Sequence, residues 1–349
     1  MLFGYKGRRA GSNEAIGMTL GTGRETASPR NLRGRLGNVR HLAIALLGLV
    51  LVVAACEGLL RFGLGLGNPI LIQYDQACGY ILKPDQDVVR FFVRTHTNHF
   101  GMRSDEVTVA PHAGTLRLLF VGDSITYGTT RVDQKEIFTE VLHRELPPIV
   151  HRPVEVLNAS AGAWAPDNEL SYIQSRGTFH SDIVLLVLND GDLTQPRSTI
   201  AMVGDDLPQR RPVSAISELY LRYIRPRLFH LIDKSDAGDS IVAGADEVTR
   251  RNLADIARIS ELTTSQGARL IILYIPIRKD IPQESKRAAT LLQTWSFAHH
   301  VSMFDLTNIE APYSIPEITL DNGIHLNAKG HLAIARAIEQ SWAGVVGSQ

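Results

Sequence analysis

Four short stretches of this sequence set chemistry-bearing residues immediately after, or close to, apolar runs. Gly122-Asp123-Ser124 presents a hydroxyl on a tight turn, where backbone N–H groups can hold an anion. The stretch NASAGAW, from Asn158 to Trp164, contains Gly162, whose N–H no side chain obstructs. Asn189, in Asn189-Asp190-Gly191-Asp192, carries an amide able to donate to a developing oxyanion. Near the C-terminus, Asp321-Asn322-Gly323-Ile324-His325 pairs a base with a carboxylate in one loop just ahead of a helical pattern. Taken singly, each is an ordinary turn. Together they supply a nucleophile, a base, an orienting acid and donors for an oxyanion, which is the equipment of acyl transfer.

These residues need elements that bring them to one place. The runs Leu116–Val121, Val154–Leu157, Ile183–Leu188, Leu270–Ile275 and Val301–Phe304 are short and continuously apolar, as strands covered on both faces are. Helical patterns cover Gln134–Glu145, Glu247–Gln266, Gln283–Phe297 and Ala328–Trp342. That alternation predicts an α/β three-layer sandwich around a roughly five-stranded parallel sheet. Ligands of such sheets bind at the carboxyl ends of the strands. The stretch from Gln195 to Ala245 reads as an insertion with one amphipathic candidate, Ser214–Leu231. Residues 62–113 read as extended segments without a core of their own, ahead of a domain over 114–349.

The order Ser, Gly, Asn, Asp/His at successive strand ends resembles the SGNH, or GDSL, hydrolase superfamily, in a membrane-anchored bacterial form. Its blocks correspond to GDS at 122–124, the glycine loop at 158–164, LND at 188–190 and DNGIH at 321–325. The resemblance implies a flavodoxin-like fold with Ser124 as nucleophile and His325 as base. It also implies an oxyanion hole made of the Ser124 N–H, the Gly162 loop N–H and the Asn189 amide. Two departures bear on the site. The family acid stands three residues before the histidine, which here is Asn322, with Asp321 one further back. Either Asp321 orients His325 through a one-residue loop shift, or Ser124 and His325 work as a dyad. Counted from Asn158, the family glycine falls on Ala163 rather than Gly162, and a backbone donor survives an alanine. The implied activity is a serine esterase acting on O-acyl esters, acetyl above all, of an extracytoplasmic glycan or lipid. A polysaccharide O-acyltransferase using the same site and a non-catalytic binding protein that kept the fold are the alternatives. No cofactor, metal or nucleic-acid partner is implied.

The extracytoplasmic setting comes from the N-terminus. Leu42 to Leu60 holds nineteen residues with one charge, Glu57, enough for a helix to cross a bilayer core. The chain's charge balance of zero hides an asymmetry: residues 1–40 carry eight basic and two acidic groups, the remainder 28 and 34. The basic side is expected to stay in the cytoplasm, which places a transmembrane signal anchor at 41–61 in the inner membrane and everything after it in the periplasm. Residues 1–40 are expected to be a disordered basic tail. A second reading takes Val53-Ala54-Ala55-Cys56 as the small-residue pattern ahead of a lipidated cysteine, with translation beginning at Met18. A buried core helix would need a polar face, which this run lacks. The only two cysteines, Cys56 and Cys78, suggest no disulfide framework, and His96, His99, His299 and His300 lack companions at metal-ligand spacing.

Overall fold

The computed structural model describes residues 29–201, 207–232, 245–276, 282–307, 315–320 and 324–342. By its internal contacts the chain divides into two units, Met1–Ala54 and Ala55–Gln349. In the first, the described residues belong to the helix Pro29–Gly58. The expected tail is therefore helical from Pro29 onward. Proline suits the first turn of a helix, and Leu32, Arg33, Arg35 and Leu36 are good helix formers. Residues 1–28 lie outside the described part. The stretch Asn38–Gly63 is long and apolar enough to cross a membrane, and its leucines and valines from Leu42 to Val53 are exposed rather than packed in a core.

The second unit opens with two antiparallel hairpins, β1 (Ile72–Asp75) with β2 (Gly79–Leu82) and β3 (Gln86–Arg90) with β4 (Val93–Thr97). The five apolar runs then form β5 (Leu116–Gly122), β6 (Val154–Ser160), β7 (Ile183–Leu188), β8 (Arg269–Tyr274) and β9 (Ser302–Asp305). They pair in parallel in the order β6-β5-β7-β8-β9, the expected sandwich. Because side chains alternate along a strand, Leu119 and Val121 enter one core while Leu118 and Phe120 enter the other. Tyr80, Leu82, Val88 and Met102 of the hairpin region join the first of these cores.

Two elements differ from the sequence expectation. The helix Pro166–Arg176 links β6 to β7, where no helix was foreseen. Its buried face carries Asn168 and Glu169 beside Leu170 and Ile173, so the apolar period is broken. The segment Gln134–Glu145 is not one helix but a 3-10 turn, Gln134–Glu136, and an α-helix, Phe138–Glu145, separated by extended Ile137 (φ −69°, ψ 146°). In the insertion, Ala215–Glu218, Leu219–Ile224 and Arg225–Ile232 form one helical run whose middle part is π-wound. Its first turn is capped by Ser214 Oγ, which accepts the Ser217 N–H at 3.0 Å.

Candidate active site

The strand order reverses at β5: the chain leaves it for β6 on one side and crosses back to β7 on the other. Ligands of open parallel sheets bind outside the strand ends at such a switch point. Ser124 follows β5 and Asn189 follows β7, so both stand there.

Ser124 opens a one-turn helix, Ser124–Tyr127. Asp123 caps that turn, its Oδ1 accepting the Ile125 N–H at 2.8 Å, and Gly128 ends it in the left-handed conformation at φ 76°. Gly122 is required sterically, because a Cβ there would collide with the Thr126 side chain. The turn is fastened from behind by buried Asn158, whose Nδ2 donates to the Thr126 carbonyl at 2.8 Å and to Thr139 Oγ1 at 3.0 Å. Arg103, fully buried, donates to the carbonyls of Tyr127, at 2.7 Å, Thr129 and Val132 and so fixes the loop that follows.

His325 reaches this turn from the other end of the sequence. Its Nε2 lies 2.9 Å from Ser124 Oγ. The loop that carries it is closed at its base by a bridge between Thr319 and Leu326 and by the Leu320 N–H donating to the His325 carbonyl at 2.7 Å. Asn327 then caps the following helix, Ala328–Gln340, accepting the Gly330 N–H at 3.0 Å. Asp321 and Asn322 lie outside the described residues.

Asn189 is oriented on both sides of its amide. Its Oδ1 accepts the Gly191 N–H at 2.7 Å, and its Nδ2 donates to Asp123 Oδ2 at 3.0 Å. One hydrogen of the Nδ2 group is thereby used, and the other has no acceptor among the described residues. Asp123 thus joins the cap of the serine turn to the asparagine amide, a role the sequence analysis did not assign to it. Its position between Gly122 and Ser124 was visible, but a partner 66 positions away in the chain was not.

Gly162 is buried in the loop after β6, its carbonyl accepting from Tyr80 Oη at 2.7 Å. The left-handed position of this loop is Ala163, at φ 62°. Gly162 is constrained differently: a Cβ there would stand 2.9 Å from Leu207 Cδ1. The conformation that favours glycine therefore falls on the alanine.

Beneath these groups lie more carboxyls than sequence reasoning anticipated. Burial raises Asp123 to about 6 although Ile125 and Asn189 donate to it. Glu169 and Asp192 are held well above the usual carboxylate range, first by burial and then by repulsion, from Asp123 in both cases and from Glu169 in the case of Asp192. Asp192 Oδ2 accepts the Asn189 N–H at 2.7 Å. Neither oxygen of Glu169 has a donor among the described residues. Of the other groups noted in the sequence, Cys78 is a buried free thiol whose pKa burial pushes up to about 11, and His299 stacks on Trp295 at 4.2 Å.

No family model matches the chain, and no curated protein matches it. Among solved structures it is similar to TesA, at 14% identity and a TM-score of 0.45 over 66% of this chain and 99% of that one. It is also similar to the psychrotrophic esterase EstA from Pseudoalteromonas sp., at 11% identity and a TM-score of 0.42 over 66% and 99%. A member of the lipolytic protein G-D-S-L family from Veillonella parvula aligns at 14% identity and a TM-score of 0.42 over 65% and 98%. These are likenesses of architecture.

Proposed function

We propose that the chain is a GDSL-type serine esterase, anchored by its N-terminal helix in the inner membrane with the residues after that anchor in the periplasm, and that it acts on acyl esters of a surface glycan or lipid. The observation that carries this reading is the 2.9 Å contact between Ser124 Oγ and His325 Nε2 at the switch point, beside the Asn189 amide.

In the reaction, Ser124 Oγ attacks the ester carbonyl carbon while its proton passes to His325 Nε2. The carbonyl oxygen becomes an oxyanion, for which the Ser124 N–H, the Gly162 N–H and the free hydrogen of Asn189 Nδ2 are the donors. The bond to the leaving oxygen then breaks, His325 returns the proton to it, and the acyl group remains on Ser124. Water, activated by His325, attacks this second ester and restores Ser124. A sugar hydroxyl in place of water would give transfer at the same atoms. Asp321 is the candidate to orient the histidine ring.

The test is hydrolysis of an activated acetyl ester by the full chain beside Ser124→Ala. The variant is expected to lose at least about 10⁴-fold in kcat, and mass spectrometry of the intact protein is expected to find an acetyl group on Ser124 in the wild type alone. Equal turnover by the two proteins would overturn the reading. Adding glycan acceptors then separates hydrolysis from transfer.

A further inference from the structure

Over residues 215–228 the insertion helix hides a charge and shows an apolar stripe to solvent. Its hidden side carries charge: the Glu218 side chain is 0% exposed and paired with Arg90 at 2.6 Å. Its open side is apolar, with Tyr220, Leu221, Ile224 and Leu228 each between 41% and 51% exposed and flanked by exposed Arg225 and Arg227. A helix lying on a water-soluble domain does the reverse. Basic residues bordering an exposed apolar stripe are the pattern of a helix lying in a membrane interface.

A second anomaly stands beside it. β3 and β4 are joined by a two-residue turn, and both of its residues have positive φ, Phe91 at 48° and Phe92 at 66°. Turns of this kind select Asn-Gly, because bulky side chains are strained there. This one instead holds two phenylalanines, and Phe92 is 83% exposed. The turn is locked to the helix by the Arg90–Glu218 pair and by the edge-on contact of the Phe91 and Tyr223 rings at 5.7 Å. A strained backbone that displays an aromatic side chain to solvent is a cost that folding alone does not explain.

Both features adjoin the end of the apolar helix. Glu57, the single charge in that run, accepts the Ala215 and Ile216 N–H groups at 2.9 and 3.1 Å and so caps the insertion helix, while the Phe91 N–H donates to the Leu64 carbonyl at 2.9 Å. Phe62, between them in sequence, is 87% exposed.

We infer that the open face of residues 220–228 and the Phe91-Phe92 turn form a docking surface for the lipid bilayer. The occupant follows from continuity: the surface is hydrogen-bonded to the last turns of the one described helix able to cross a membrane. Apolar groups seat in the acyl boundary, and Arg225 and Arg227 meet lipid phosphates. The inference rests on the anchor reading above and adds that the catalytic unit lies against the membrane instead of hanging from a tether.

The full chain, carrying Cys56→Ser, is reconstituted in vesicles of phosphatidylethanolamine and phosphatidylglycerol with an environment-sensitive fluorophore at Leu221→Cys or, separately, at Ile44→Cys. Cys78 is buried and its thiol is raised to about 11, so it is left in place. Nitroxide carried high on the lipid chains is expected to quench the Leu221 probe about twofold, and aqueous iodide to leave it unchanged. Phe91→Asn with Phe92→Gly, which gives the turn its preferred residues, is expected to remove at least about half of that lipid quenching while raising thermal stability. If lipid quenches Ile44 but iodide alone quenches Leu221, the anchor stands and the docking surface falls. If Leu221 is shielded from both quenchers, a second copy or another protein covers the face and the inference is overturned. If lipid does not quench Ile44, the span itself is refuted and the docking surface falls with it.

Discussion

Two regions of the Ala55–Gln349 unit depart from the ordinary distribution of residues, in opposite senses. Around Ser124, polar groups are drawn inside: Asp123, Asn158 and Asn189 are buried, and each is held by specific donors or acceptors. Along residues 220–228 and at the β3–β4 turn, apolar groups are pushed out while Glu218 and Arg90 are hidden. Each arrangement costs stability, since buried polar atoms lose water and exposed aromatic rings keep it. On the function proposed above, the first would fix polar atoms for a reaction in which charge develops; on the inference drawn above, the second would present hydrocarbon to a bilayer. The two regions should therefore respond independently to substitution.

After Ser124→Ala, the largest effect is expected for Asp321→Asn. If Asp321 orients His325, kcat should fall by about 10³–10⁴-fold, as happens when an imidazole loses its orienting carboxylate. Near-normal turnover would instead establish Ser124 and His325 as a dyad. Asn189→Ala should lower kcat by about 10²–10³-fold with little change in KM, the cost of one oxyanion donor, and kinetics with a soluble acetyl ester would measure both. Neither substitution should alter lipid quenching at residue 221, and a change there would break the separation drawn between the regions.

Stability effects are smaller. Phe91→Asn with Phe92→Gly should gain about 1–2 kcal/mol by relieving two left-handed residues, read from urea unfolding, while leaving hydrolysis of a soluble ester unchanged. Glu169→Gln probes the buried carboxyls of the first region. Because its carboxyl is raised in the folded state, Glu169 favours folding at acid pH, and this contribution is lost as pH rises above its ordinary value of 4.5 toward its folded one. Asp123, raised to about 6, acts in the same direction. The glutamine variant cannot ionise there, so its melting temperature should match wild type near pH 5 and exceed it by a few degrees near pH 9. A gap that narrows on the alkaline side would show that Glu169 has found a donor. Ala163→Gly should be the mildest change, stabilising by about 1 kcal/mol at the left-handed position.

Much of this was legible from the chain. The five strands, Ser124 at the end of the first and His325 ahead of the last helix all follow from apolar runs and the residues that bound them. The helix Pro166–Arg176 was not, because a helix buried beside polar groups carries Asn168 and Glu169 on its inner face and loses its period. The site was legible as a set of residue types at strand ends; the links among them were not. Asp123 as the tie between the serine turn and Asn189 has no local signature.

What the sequence determined by itself was local: where apolar runs start and stop, which residues stand at their ends, and that one run suits a bilayer. Those features depend on neighbours along the chain, so composition and period suffice. Tertiary structure decided the rest. The register that pairs Val121 of β5 with Leu186 of β7 carries Asp123 and Asn189 to the same sheet edge, a result of packing across 66 residues. It also turned the apolar side of residues 220–228 outward, because Glu218, held by Arg90 and the Gly67 N–H, claims the inner side of that helix. An amphipathic pattern defines two faces, and only the partners available in the folded chain decide which one is buried.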